Sequence, residues 1–199
     1  MKRQKQKIDQ AVNVLHQGGV IAYPTEAVYG LGCDPQNITA VKKLLEIKQR
    51  QKEKGLILVA SNLEQLKPYI LPLDKTIEQK LLDSWNNSET AITWLVPVKD
   101  TTSEFLTGQF DTLAVRISNH PVVKKLCDEF GAAIVSTSAN ISTHDAARTA
   151  DQVKQTLADK IDFVVEGETD INAQPSEIRD ALTDKIIRTN TVIAKEQSE

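Results

Sequence analysis

Ile47-Lys48-Gln49-Arg50-Gln51-Lys52-Glu53-Lys54-Gly55-Leu56-Ile57-Leu58-Val59-Ala60 joins two kinds of periodicity. Ahead of it, Val41, Leu44, Leu45 and Ile47 recur at helical spacing, with Asn37 or Thr39 available as N-cap. From Leu56 to Ala60 the residues are all apolar, as expected of a buried strand. Helix, turn and buried strand form the repeating unit of an α/β sheet. Between them Lys48, Arg50, Lys52 and Lys54 fall at every second position, and Gly55 frees the backbone to turn. On an extended backbone these four cations would share one side, a strip suited to an anion. A solvated charge run at a helix end fits the same composition.

Working outward, Ile8, Ala11, Val12 and Leu15 predict a helix that stops at Gly18-Gly19, followed by a strand over Val20 to Tyr23. Pro24 to Pro35 then reads as a loop rich in hydroxyls and glycines at a strand end, where ligand sites of α/β sheets commonly sit. Downstream, Ser61 is a candidate cap for a short helix, and Leu73, Ile77, Leu81 and Leu82 predict a longer one towards Trp85. Asn86-Asn87-Ser88 predicts a turn, with strands over Ala91 to Val96 and Leu113 to Ile117. Pro121 opens a helix through Val122, Val123, Leu126 and Phe130 that Gly131 stops. Ala132 to Val135 predicts a strand leading into the hydroxyl-rich Ser136-Thr137-Ser138-Ala139-Asn140, a candidate site that could equally be a turn and cap. A helix within Ala146 to Leu157, a strand over Asp162 to Val165, and strand candidates at Ile178 and Ile186-Ile187 complete the alternation. The expected fold is a single α/β domain over residues 1-199, with a polar tail from about 194 to 199.

The composition excludes several classes. The chain has 199 residues, 40% of them hydrophobic and 26% charged, as in an ordinary soluble domain with a real core. A net charge of -3 opposes a general polyanion binder, so any nucleic-acid surface must be local. No signal-peptide pattern follows the basic N-terminus and no apolar run approaches a membrane span, which makes a cytoplasmic location the expectation. Cys33, Cys127 and the scattered His16, His120 and His144 lack metal-ligand spacing, so no metal site is predicted. Gly30 and Gly32 do not form a dinucleotide fingerprint, and no phosphate-binding P-loop, nucleophile elbow or zinc-protease helix is present. Ser138 has no assigned histidine base and is better suited to hold a phosphate or hydroxyl ligand.

Four motifs in order decide what these fragments add up to: Tyr23-Pro24-Thr25-Glu26 with Tyr29-Gly30-Leu31-Gly32; Lys48-x-Arg50 with Lys54-Gly55-Leu56; Ser136 to Asn140; and Pro175-Ser176-Glu177-Ile178-Arg179-Asp180. Together they resemble the YrdC/Sua5 family, in its short single-domain form, over nearly the whole chain. The resemblance implies a twisted open mixed sheet flanked by helices around a large positively lined cavity. It implies a nucleotidyltransferase reaction in which L-threonine, bicarbonate and ATP give L-threonylcarbamoyladenylate and pyrophosphate, the first step of tRNA t6A modification. Magnesium is implied as a companion of ATP, with no tightly bound cofactor. Downstream t6A-pathway transferase proteins are the implied partners, with weak tRNA or RNA binding.

On this resemblance Lys48, Arg50 and Lys54 hold the triphosphate with Ser136, Ser138, Asn140 and Arg188, and Lys48 and Arg50 are the catalytic pair. Thr25, Thr93, Arg116 and Ser176 hold threonine, Arg116 through its carboxylate. Glu26, Asp34, Glu177 and Asp180 are structural, and Lys52 faces solvent. The chain departs from the family pattern at Glu89-Thr90-Ala91, at Thr189-Asn190 and at Val59, where many members carry histidine. Two other functions remain open: an RNA-binding or ribosome-maturation factor using the same basic cavity, and a carbamoyl-transfer module like the related domain of hydrogenase maturation proteins.

Overall fold

The computed structural model describes residues 2–87, 91–141, 144–170 and 172–189. The predicted turn residue Ser88, the departures at Glu89-Thr90 and Asn190, and the polar tail lie outside them.

The first helix, α1 (Lys2–His16), buries the predicted stripe Ile8, Ala11, Val12 and Leu15 and hands over to β1 (Ile21–Pro24). Tyr29–Gly32, expected to be loop, is instead strand β2, antiparallel to β1 in a hairpin. Its glycines mislead. A side chain on Gly32 would stand 2.5 Å from the Val135 carbonyl oxygen, so the close approach of the next strand requires glycine there.

Helix α2 (Ile38–Lys48) is capped by Asn37, whose side chain accepts from the Ala40 amide, and ends with Gln49 in the left-handed conformation. Lys52–Lys54 form a single 3-10 turn, and Gly55 has φ +61°. The expected extended strip is therefore absent: Lys48 belongs to a helix, and helix end and tight turn send the four cations in different directions. Strand β3 (Ile57–Ala60) follows, and the next short 3-10 turn is capped by Asn62 rather than Ser61.

The remaining elements are α3 (Lys75–Asn87), β4 (Ile92–Pro97), α4 (Glu104–Thr107), β5 (Thr112–Ile117), α5 (Pro121–Phe130), β6 (Ile134–Ser138), α6 (Ala150–Leu157), β7 (Phe163–Val164), β8 (Glu177–Asp180) and β9 (Ile186–Arg188). Helix α3 runs through Asn86 and Asn87, where a turn was expected. The hydroxyls of Ser136 to Ser138 lie on β6 itself, not past its end.

The sheet order is β7-β1-β2-β6-β3-β5-β4-β8-β9. It is mixed: β1 with β7, β3 with β5 and β4 with β8 run parallel, and the other pairs antiparallel. Strand alternation divides the core into two layers. Ile21, Tyr23, Val59 and Ile134 pack under α1 and α5, whereas Ala22, Leu58, Ala60 and Val135 join the cluster with α2, α3 and α6. Val59, one of the expected departures from the family pattern, is part of the first layer.

Candidate functional site

The centre of the sheet, where β2, β6, β3 and β5 lie side by side, forms one wall of a cavity of about 340 Å³. Seven of the predicted site residues line it: Thr25, Arg50, Arg116, Ser136, Ser138, Ser176 and Arg188. They come from β5, β6, β9 and the segments beside them, over more than 160 residues of chain.

Lys48 stands behind this wall. It is 3% exposed, and its Nζ donates to the Ser138 carbonyl at 2.6 Å, to Ser138 Oγ at 3.3 Å and to Asn140 Oδ1. Ser138 Oγ in turn donates to Asn140 Oδ1 at 2.7 Å. Arg50 donates through Nε and Nη2 to the Gly55 carbonyl at 3.2 and 3.0 Å. Arg188 Nη2 donates to the Ser176 carbonyl at 2.8 Å. All three cations are thus held by neutral oxygens, and among the described residues none of them is in an ion pair with a carboxylate.

The missing counter-charge shows in their acidity. Burial first, and then the charge of Arg50, lowers the Lys48 pKa to about 8. Burial and the charge of Arg188 lower that of Arg50, and partial burial lowers that of Arg188. An anion entering here would meet fixed donors and an uncompensated positive potential.

The other end of the cavity is different. Arg116 is ion-paired with Glu26, which also accepts from Ser118 Oγ at 2.8 Å. Burial pushes the Glu26 carboxyl upward, but the charge and hydrogen bonding of Arg116 and the Ser118 hydroxyl outweigh it and hold it below its usual value. Thr25 Oγ1 donates to the Val28 carbonyl at 2.6 Å. Thr93, fully buried, lies one layer back, with its Oγ1 2.8 Å from Ser176 Oγ.

Lys54 is exposed and does not line the cavity; only its backbone carbonyl takes part, accepting from Arg50. Lys52 pairs with Glu104 at 3.0 Å on the surface, in line with the reading that left it outside the site. Glu26, read from sequence as structural, lines the cavity and is the one acidic side chain to do so among the described residues. A lone carboxylate beside Thr25 at a strand end was the available signal.

Fold and cavity together define a class: mixed-sheet α/β proteins with an arginine-lined cavity across the sheet's centre. Within that class the chain belongs to the Sua5/YciO/YrdC family, whose model, described as "Telomere recombination", matches residues 13–190. The threonylcarbamoyl-AMP synthase of Photobacterium profundum is 47% identical over 91% of this chain and 97% of its own length. That of Vibrio cholerae is 49% identical over 92% and 97%. Among solved structures, Pyrococcus abyssi Sua5 complexed with L-threonine matches with a TM-score of 0.79 and 29% identity over 87% of this chain, which spans half of that longer one. Escherichia coli YciO matches at 0.77 and 25% identity, covering 93% of this chain and 89% of its own.

Proposed function

We propose that this chain is a threonylcarbamoyl-AMP synthase, a nucleotidyltransferase that converts L-threonine, bicarbonate and ATP into L-threonylcarbamoyladenylate and pyrophosphate. The observation that carries the reading is the group Lys48, Arg50 and Arg188, three cations brought together and, among the described residues, partnered by neutral oxygens alone. Relatives of nearly equal length at 46–49% identity bear this activity in their names.

In this reading threonine's amine, its ammonium proton lost to solvent, adds to the carbon of bicarbonate with loss of water to give a carbamate, whose oxygen attacks the α-phosphorus of ATP while pyrophosphate leaves. Two anions must approach each other, and fixed cations in a sheltered cavity offset the repulsion. Arg50 and Arg188 face the cavity and take phosphate oxygens directly. Ser136 adds a hydroxyl from β6, and Ser138, whose hydrogen goes to Asn140 Oδ1, adds a second when it turns towards the nucleotide. Lys48 supplies its charge from behind, through Ser138 and Asn140, and so positions the donors that meet the nucleotide. Lys54 is left outside the clamp. Thr25, Arg116 and Ser176 hold threonine, with Thr93 bracing Ser176.

Magnesium fits as a companion of the nucleotide rather than as a protein-held ion. Among the described residues there is no cluster of three or more acidic, histidine or cysteine side chains suited to a metal, and Arg116 engages the cavity's one carboxylate. The same reading makes residues 1-199 one catalytic domain, cytoplasmic, that hands its product to t6A-pathway transferase proteins. No observation favours an RNA-binding factor, and likeness to full-length HypF, 22% identical, is one of fold.

Incubation with ATP, bicarbonate and threonine should release pyrophosphate only when all three are present. Release that does not depend on threonine would sink the proposal.

A further inference from the structure

Among the described residues, three arginines and one carboxylate line the cavity. The arginines would draw in any small carboxylate or phosphate, so cation count alone cannot explain selection of an amino acid. An amino acid differs from a hydroxy acid of the same shape by its ammonium, and a site selects that group by offering it an anion. Among the described residues lining the cavity, Glu26 is the one such group. It lies next to Thr25 and opposite Arg116, and Ser118 Oγ fixes one of its oxygens at 2.8 Å. Oε2, which faces Arg116, is shut off from solvent, so a further donor must come to Oε1, where an acceptor position remains beside Ser118 Oγ. Its backbone is anchored as well, the Glu26 carbonyl accepting from the Asp170 amide at 2.8 Å.

Resting on the proposed function, we infer that Glu26 and Arg116 form a zwitterion cradle, in which Glu26 binds the substrate's α-ammonium while Arg116 takes its α-carboxylate. Glu26 thereby fixes the direction in which the amino acid lies and rejects acids without an amine. Held ionised by its two partners, the carboxylate serves as a holder of the ammonium rather than as a strong base.

Calorimetric titration with L-threonine and with 3-hydroxybutyrate, which keeps the carboxylate and hydroxyl but lacks the amine, tests this. Wild-type protein should prefer threonine by about tenfold or more, as expected for a charge-assisted hydrogen bond. In Glu26→Gln that preference should collapse towards unity, with 3-hydroxybutyrate binding changed far less than threonine binding. Equal losses for both ligands would reduce Glu26 to a prop for Arg116 and overturn the inference, as would an unchanged preference. If Glu26→Gln does not fold, Ser118→Ala, which frees one carboxylate oxygen, should lower the preference in part, and a preference kept at the wild-type value overturns the inference. Wild-type protein that binds no threonine at all overturns instead the function on which the inference rests.

Discussion

Lys48 Nζ donates to the carbonyl of Ser138 at 2.6 Å, across 90 residues of sequence, and so ties the last residue of α2 to the last residue of β6. A buried ammonium held only by neutral oxygens adds nothing to folding that an apolar side chain could not. Its value lies in the potential it sets behind the hydroxyl of Ser138. Replacing Arg50 by alanine removes a direct donor, and replacing Lys48 by alanine removes the charge behind one. Each should lower pyrophosphate release by about 10² or more while circular dichroism remains native. Near-normal turnover in both would return them to solvated charges.

The acidity of Lys48 gives a second, independent readout. With a pKa of about 8 in the free protein, kcat/KM for ATP should fall as pH rises through about 8, since that ratio reports the free enzyme. Arg50→Gln removes the second cause of the shift, after burial, so the descending limb should move to higher pH. Stability responds to pH in the opposite direction. The folded value lies below the ordinary 10.5, so the native state binds fewer protons between about pH 8 and 10.5. This group's contribution to stability therefore rises with pH across that window. A limb that stays in place in Arg50→Gln would dissociate the two charges.

Gly32 predicts a packing effect without chemistry. A methyl group there meets the Val135 carbonyl oxygen at 2.5 Å and Tyr23 Cε1 at 2.8 Å, one of them backbone and the other on a fully buried ring. Gly32→Ala should destabilise by about 1–3 kcal/mol, as overpacking does. Thermal denaturation should show a drop of several degrees, and an unchanged midpoint would mean that β2 and β6 can part without cost.

Gly32 also marks where the sequence stops being legible. Helices α1, α2 and α5 could be read because apolar spacing and their caps or stops agree, down to Asn37 and Gly131. Strand β2 could not, since Tyr29-Gly30-Leu31-Gly32 has the composition of a loop and is a strand only because its neighbours approach closely. The strip from Lys48 to Lys54 failed differently. Charge alternation carries no information on backbone conformation, and a left-handed Gln49 followed by a 3-10 turn replaces the expected extension. The cavity itself is assembled from pairs as distant as Glu26 with Ser118 and Thr93 with Ser176, which no local pattern encodes. The family motifs named most of its members without showing which of them stand at the surface of the cavity and which stand behind it.

Thr93 and Ser176 allow that layering to be measured. Their hydroxyls are 2.8 Å apart, Thr93 has no solvent exposure, and Ser176 faces the cavity while its carbonyl accepts from Arg188. Removing the Ser176 hydroxyl leaves the buried Thr93 hydroxyl short of its partner, a cost of about 1–2 kcal/mol, whereas loss of the Thr93 hydroxyl costs less, since Ser176 Oγ keeps Arg188 Nη2 at 3.4 Å and faces the cavity. Removing both takes away the orphan as well as the bond. Thr93→Val and Ser176→Ala should therefore each lower stability, whereas the double variant should lie well above the sum of the two losses, with a coupling of at least about 0.5 kcal/mol in chemical denaturation. Activity should separate them in another way. Ser176→Ala removes a hydroxyl that reaches the cavity and should raise the KM for threonine more than Thr93→Val does, because Thr93 acts through Ser176. Additive stabilities, or a larger KM effect from Thr93, would place Thr93 at the substrate and not behind it.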